Sequence, residues 1–242
     1  MKIPRILCTY LLFIASLTTV KADTILGLYA GVNHWQHDLA DGIRANFSDE
    51  HRSEKGNIFY FALEHPIPFV PNVKVQHNTI KGDVSGTMQV LDIDGFPQII
   101  QANTTTDLSH TDLTLYYELL DNWVNLDVGV SVKYFDGHHP IHVSAMVQGR
   151  EKIDEWIPLL YVKGQFDLPL TGFSAFSSIQ TLSIDSNDVT DIEMGLNYET
   201  KMGLGATLGY RSLNVDFNKS DNYNLLYDNR LDGFFLGVNA HF

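Results

Sequence analysis

The last residues of the chain alternate. Phe234, Leu236, Val238, Ala240 and Phe242 fall on one face of an extended segment, and Phe235, Gly237, Asn239 and His241 fall on the other. A period of two is the signature of a β-strand, whose successive side chains point to opposite sides. The same alternation predicts nine earlier strands, near 26–33, 57–64, 73–80, 112–119, 124–134, 159–166, 173–184, 191–199 and 204–211. The fifth is the clearest. There Val124, Leu126, Val128, Val130, Val132 and Tyr134 alternate with Asn125, Asp127, Gly129, Ser131 and Lys133. The seventh is weaker and rich in serine.

The connections alternate too. The stretches 34–55, 82–106, 136–155 and 218–230 are long and polar, whereas 65–72, 120–123, 167–172 and 199–203 are short. Only the connection near Asp185 breaks the rhythm. Segments of ~10 residues with one continuous apolar face, short turns on one side and longer loops on the other, describe a transmembrane barrel. In hydrocarbon every backbone N–H and C=O must be paired internally, and a closed sheet does this without a free edge. The expected fold is therefore all-β, an antiparallel up-and-down transmembrane barrel of ten strands, with both termini periplasmic. A count of eight, with strand three or seven recruited into loops, stays open, as does a soluble sandwich or lipocalin-like barrel. Trp123, Tyr134, Tyr198 and Tyr210, near strand ends, fit an interfacial aromatic belt.

The amino terminus adds a location. Lys2 and Arg5 precede a mostly apolar stretch over 6–20, and Val20-Lys21-Ala22 suits a cleavage site before Asp23. We read residues 1–22 as a signal peptide and 23–242 as the barrel. Export and a barrel together imply the outer membrane of a Gram-negative bacterium. Cleavage takes Lys+Arg from 16 to 13 against 29 acidic residues, so the net charge moves from −13 to −16. Such an acidic chain lacks the basic surface that nucleic acid requires. The only cysteine, Cys8, leaves with the signal. No disulfide or thiol chemistry remains, and no cofactor is called for.

Glu64-His65-Pro66-Ile67-Pro68-Phe69-Val70-Pro71-Asn72 is an unusual string. It resembles the Glu-His-Pro-x-Pro-x-x-Pro-Asn segment of a family of proteobacterial outer-membrane β-barrel proteins of unassigned activity. The resemblance extends to the glycine-rich first strand, Asp167-Leu168-Pro169 and the terminal Phe242. It implies fold and location, and brings no catalytic residues. Physically, Pro66, Pro68 and Pro71 cannot donate to a ladder. With Glu64, His65 and Asn72 they form a periplasmic turn.

Three constellations could carry chemistry. Among the ten histidines, His34 and His37 with Asp38, and His138, His139 and His142 with Asp136, fall in stretches read as loops. Imidazole and carboxylate suit transition metals, but the spacing matches no closed motif, so no metal site is assigned. His110 with Asp107, Ser109 and Asp112 could form a hydrolytic site at the rim, of the kind a membrane protease, lipid hydrolase or acyltransferase uses. The third set is Glu118, Asp127, Lys133, Lys163, Asp191, Glu193, Glu199 and Arg211, all pointing inward by the alternation. They form either an ion-pair network filling the barrel or the lining of a narrow pore.

The expected function is accordingly non-enzymatic and porin-like: a barrel with a closed or narrow polar interior, suited to passage of small solutes or to binding at the outer loops. The alternatives are the rim enzyme, and adhesion or metal capture by histidine-bearing loops. The expected partners are outer-membrane lipid and lipopolysaccharide, periplasmic chaperones, and the barrel-assembly machinery. That machinery would read Phe234, Leu236, Val238, Ala240 and Phe242.

Overall fold

The structure, a computed structural model, describes residues 26–38, 48–91, 97–144, 147–184, 187–217 and 227–242. The expected signal peptide lies outside them. The strands are β1 (Gly27–Asp38), β2 (Ser48–Glu64), β3 (Asn72–Leu91), β4 (Pro97–Asp107), β5 (His110–Asp121), β6 (Val124–Ser144), β7 (Val147–Asp167), β8 (Phe173–Ile184), β9 (Asn187–Glu199), β10 (Leu204–Phe217) and β11 (Tyr227–His241). Consecutive strands pair antiparallel, β4 and β5 excepted, and β11 pairs with β1 to close the ring. β4 and β5 are two halves of one crossing, interrupted at Leu108–Ser109. β3 takes β4 along Lys81–Leu91 and β5 along Asn72–Asn78. The eleven segments thus make a ten-stranded, up-and-down barrel.

Closure is completed by the final residue. Leu28 N–H donates to Phe242 O at 3.0 Å, and Phe242 N–H donates to Leu28 O at 2.9 Å. Both ends of the described chain therefore lie at the same end of the barrel as the short turns, here called the turn end. The proline-rich turn is held by its own histidine. His65 N–H donates to Asn72 Oδ1 at 3.0 Å, His65 Nδ1 accepts from Ile67 N–H at 3.2 Å, and Nε2 lies 3.2 Å from Pro71 O. Since Nδ1 accepts, the proton belongs on Nε2, which donates to Pro71. Gly203 sits at φ 77° in the β9–β10 turn, with His241 O only 2.1 Å from where a Cβ would lie, so no larger residue fits there.

The long connections are corrected by the structure. Much of 82–106 and 136–155 is hairpin: β3 continues to Leu91 and β6 to Ser144, paired with β4 and β7. His138, His139 and His142 are therefore strand residues, as are His34 and His37. The alternation there is too polar to read as a lipid-facing strand, yet backbone pairing beyond a bilayer needs no apolar face.

The outer surface is an apolar belt. Phe59, Phe61, Leu113, Leu115, Val130, Leu160, Leu196, Leu208, Leu236 and Val238 are all exposed. Aromatic pairs bound it at two levels. Trp123 packs on Phe166 and Phe173 on Tyr198 at the turn end; Tyr134 packs on Trp156 and Tyr210 on Phe234 at the other. Along β6, the stretch from Val124 to Tyr134 rises ~25 Å at ~3.3 Å per residue and a tilt of ~40°. A belt of that height between two aromatic girdles defines the class of the protein, a transmembrane β-barrel.

The interior is unlike the uniform polar lumen expected. Beyond the middle of the barrel the inward positions turn apolar. Trp35, Ile58, Ile80, Leu108, Phe135, Leu159, Val189, Leu213, Val215, Leu231 and Phe235 are buried together in one cluster. They fill the lumen on the side away from the turns.

Candidate functional site, an acidic vestibule over a charged floor

Inward side chains arrive in the order that strand register dictates. Gln76 pairs across with Asp112, and Asp112 with Lys133, on β3, β5 and β6. From the other side, Arg211 of β10 faces Glu193 of β9. These meet in the middle of the lumen. Lys133 Nζ donates to Asp112 Oδ2 at 2.8 Å and to Asp191 Oδ2 at 3.0 Å. Arg211 grips Asp191 through Nε to Oδ1 at 2.9 Å and Nη2 to Oδ2 at 2.7 Å. Its Nη1 donates to Asn78 Oδ1 at 2.7 Å, and Glu193 Oε1 lies 3.4 Å from Nε. Lys133 and Arg211 are 0% exposed, and the Trp35 ring lies 4.9 Å from the Arg211 guanidinium carbon. Buried charges survive only when paired and hydrogen-bonded, and here the fork of Arg211 provides the bidentate geometry.

Between this floor and the turn end lies a cavity of about 580 Å³. Its mouth is marked by His65, Pro66, Asp121, Asn125 and Glu199, all at the turn end. Six acidic residues line it, Glu64, Glu118, Asp121, Asp127, Glu193 and Glu199, against two lysines, Lys74 and Lys163. Four tyrosines, Tyr29, Tyr60, Tyr116 and Tyr161, share the wall. Tyr116 O–H donates to Glu64 Oε1 at 2.7 Å, so Glu64, read as a turn residue, also faces the lumen. Lys163 Nζ stands 3.7 Å from Asp127 Oδ2, and Lys74 Nζ lies 5.6 Å from the centre of the Tyr60 ring. Gly31 makes room for Tyr60: a Cβ there would come within 2.6 Å of its hydroxyl.

The eight inward charges named from the sequence thus divide into two groups. Lys133, Asp191 and Arg211 form the floor with Asp112. Glu118, Asp127, Lys163, Glu193 and Glu199 border the cavity, with Glu193 reaching both. Sequence reasoning gave no role in this site to Asn78 or Gln76, and set Asp112 beside His110 instead. All three lie on the polar side of the alternation, which was the available signal.

His110 is not a rim residue. It is 1% exposed and packs on Phe135. Its Nδ1 lies 2.8 Å from Leu108 O, and Nε2 faces Asp112 Oδ1 at 3.9 Å. Ser109 Oγ accepts from Ile80 N–H at 3.1 Å, and Asp107 Oδ1 accepts from Ser109 N–H at 3.1 Å. Ser109 Oγ is thus held by Ile80, and His110 Nε2 and Asp112 Oδ1 make no hydrogen bond, so the set is not joined as a nucleophile, base and orienter. The histidine clusters also come apart. His34 is exposed and bonds Asn57 Oδ1 at 3.0 Å on the outer face, whereas His37 is buried on the inner face. The side chains of Asp38, His138, His139 and His142 lie outside the described residues; Asp136 is exposed. Among the described residues, His110, Asp112 and Asp191 bring ligand atoms within 4.8 Å of one another. The Lys133 ammonium already bonds both carboxylates, so a metal ion would have to displace a cation.

No family model matches the chain, and no curated protein matches it. Among solved structures it is similar to the translocator domain of the autotransporter NalP from Neisseria meningitidis, at 10% identity and TM-score 0.44, covering 98% of this chain and 95% of that one. It is also similar to the β domain of the Bordetella autotransporter Brka, at 10% identity and TM-score 0.40, covering 90% and 99%. The CymD monoaromatic hydrocarbon channel matches at 8% identity and TM-score 0.34, covering 93% and 69%. Likeness at this level assigns no activity; the class rests on the topology and surface described above.

Proposed function

We propose that this is a non-enzymatic outer-membrane barrel of a Gram-negative bacterium, closed to through passage, whose working feature is a vestibule open at the turn end. The observation that carries the reading is the order of layers along the lumen: acidic cavity, paired-charge floor, apolar fill. An eight-stranded barrel is just filled by side chains, and ten strands leave little more room. Here large inward side chains take that room on one side only. Water and ions entering at the turns meet first a layer of paired charges and then a dry one. With both termini periplasmic, the cavity faces the periplasm, and the Glu64–Asn72 turn stands at its mouth. Insertion depends on the assembly machinery reading the terminal strand, where Phe234, Leu236, Val238 and Phe242 are exposed and Ala240 is half-buried.

The test uses a chain free of cysteine beyond the signal peptide. Ser178→Cys places a thiol in the cavity, and Val215→Cys places one in the apolar layer. A small cationic thiol reagent added to the protein in micelles should label Cys at 178 readily and leave 215 unlabelled. Labelling of both at similar rates would overturn the closed reading.

A further inference from the structure

We infer that the vestibule binds a small organic cation, an aliphatic amine or diamine, and this rests on the reading of the cavity as a binding vestibule. Size comes first. About 580 Å³ is within the usual range of small-molecule sites, ~300–1,000 Å³. Charge comes second. Six acidic residues against two lysines give the wall a formal net charge of −4, and a recess with low-dielectric walls concentrates ions of opposite sign.

An acidic wall alone does not make a site, but two largely buried side chains in it make no hydrogen bond among the described residues: Tyr161, and Asp127, which has only its ion pair with Lys163. Tyr161 is 2% exposed and borders the cavity, yet its hydroxyl has no hydrogen bond among the described residues. Asp127 is 4% exposed, and its nearest cation, Lys163 Nζ, stands at 3.7 Å, beyond hydrogen-bond reach. An ammonium supplies what both lack: N–H donors for the carboxylate and the phenol oxygen, and positive charge for the ring faces of Tyr60, Tyr116 and Tyr161. The neighbouring floor already holds cations of its own: Asp112 Oδ2 and Asp191 are bonded to Lys133 and Arg211, and of their oxygens Asp112 Oδ1 alone, 3.9 Å from His110 Nε2, makes no hydrogen bond.

Lys74 sharpens the inference because its effect has the opposite sign. Its ammonium lies over Tyr60 with no carboxylate within ion-pair distance among the described residues. It repels a bound cation and would attract a bound anion. Removing it should therefore tighten an amine and weaken an acid.

The experiment is calorimetric titration of the purified full-length protein in zwitterionic micelles, with 1,4-diaminobutane, butane-1,4-diol and succinate as probes of similar length. The inference expects binding of the diamine alone, weakening as salt rises. It expects Asp127→Asn to weaken that binding ~10-fold or more and Lys74→Met to strengthen it. Glu118→Gln, at the mouth of the cavity, serves as a second acidic variant should Asp127→Asn not fold, with heat-modifiable migration reporting folding. No diamine binding, equal binding of the diol, tighter binding of succinate, or weakening by Lys74→Met would each overturn the inference. Loss of the closed barrel is read separately, from labelling at position 215, so the two failures are distinguishable.

Discussion

Replacing Lys133 by methionine keeps the side chain's length and removes its charge. The consequence can be followed atom by atom. Asp191 keeps both arms of Arg211, at 2.9 and 2.7 Å. Asp112 loses its 2.8 Å ammonium and is left with Asn78 Nδ2 at 3.5 Å, while 1% exposed. An uncompensated carboxylate in that position costs ~3–5 kcal/mol. Adding Asp112→Asn removes the stranded charge, so the double variant should recover to within ~1–2 kcal/mol of the parent. The assay is guanidinium unfolding in lipid vesicles followed by tryptophan fluorescence, with Trp35 lying 4.9 Å from Arg211 as the reporter beside the network. A cost below ~1 kcal/mol for Lys133→Met, or strictly additive losses in the double variant, would refute the claim that these charges form one buried network.

Four further outcomes follow from the geometry. Phe135→Ala, at 0% exposed, should cost ~3–5 kcal/mol, and combined with Phe235→Ala should admit label to position 215. His65→Ala removes the side-chain bonds to Ile67 and Pro71; at ~1 kcal/mol each it should destabilise by ~2 kcal/mol, read by the same unfolding titration. Gly203→Ala must hold φ 77° against His241 O and should cost at least ~1–3 kcal/mol, the penalty for a strained backbone. Deleting Phe242 removes both hydrogen bonds to Leu28 that complete closure, and should lower the amount of heat-modifiable barrel in outer-membrane fractions; an unchanged amount would count against it.

The belt was legible because lipid imposes a simple rule. Outward residues between the girdles are mostly apolar, so strands such as Val124–Tyr134 announce themselves, whereas the serine-rich β8 does so weakly. The strand count followed from the same rule, except that β4 and β5 split at Leu108–Ser109 with no glycine or proline to mark it. The hairpin extensions were missed because outside a bilayer that rule lapses and pairing is carried by backbone alone. The vestibule and its floor were half legible. Alternation turned Asp127, Lys133, Asp191 and Arg211 inward, but register decides who meets whom, and Asn78 and Asp112 entered only through it. The apolar layer carried a signal that went unread. Phe135 follows Lys133 at a period of two, Ile80 follows Asn78, and Leu213 and Val215 follow Arg211. The inward face changes from polar to apolar along every one of those strands, and that change is what separates a lined pore from a sealed lumen.

The most direct test of the sealed lumen is single-channel conductance of the purified protein in a planar bilayer. The layered interior is expected to give a silent barrel, folded by its gel migration yet carrying no current at any applied voltage. Steady, salt-dependent steps from the unmodified protein would contradict it, and would mean that the layer from Trp35 to Phe235 does not close the path.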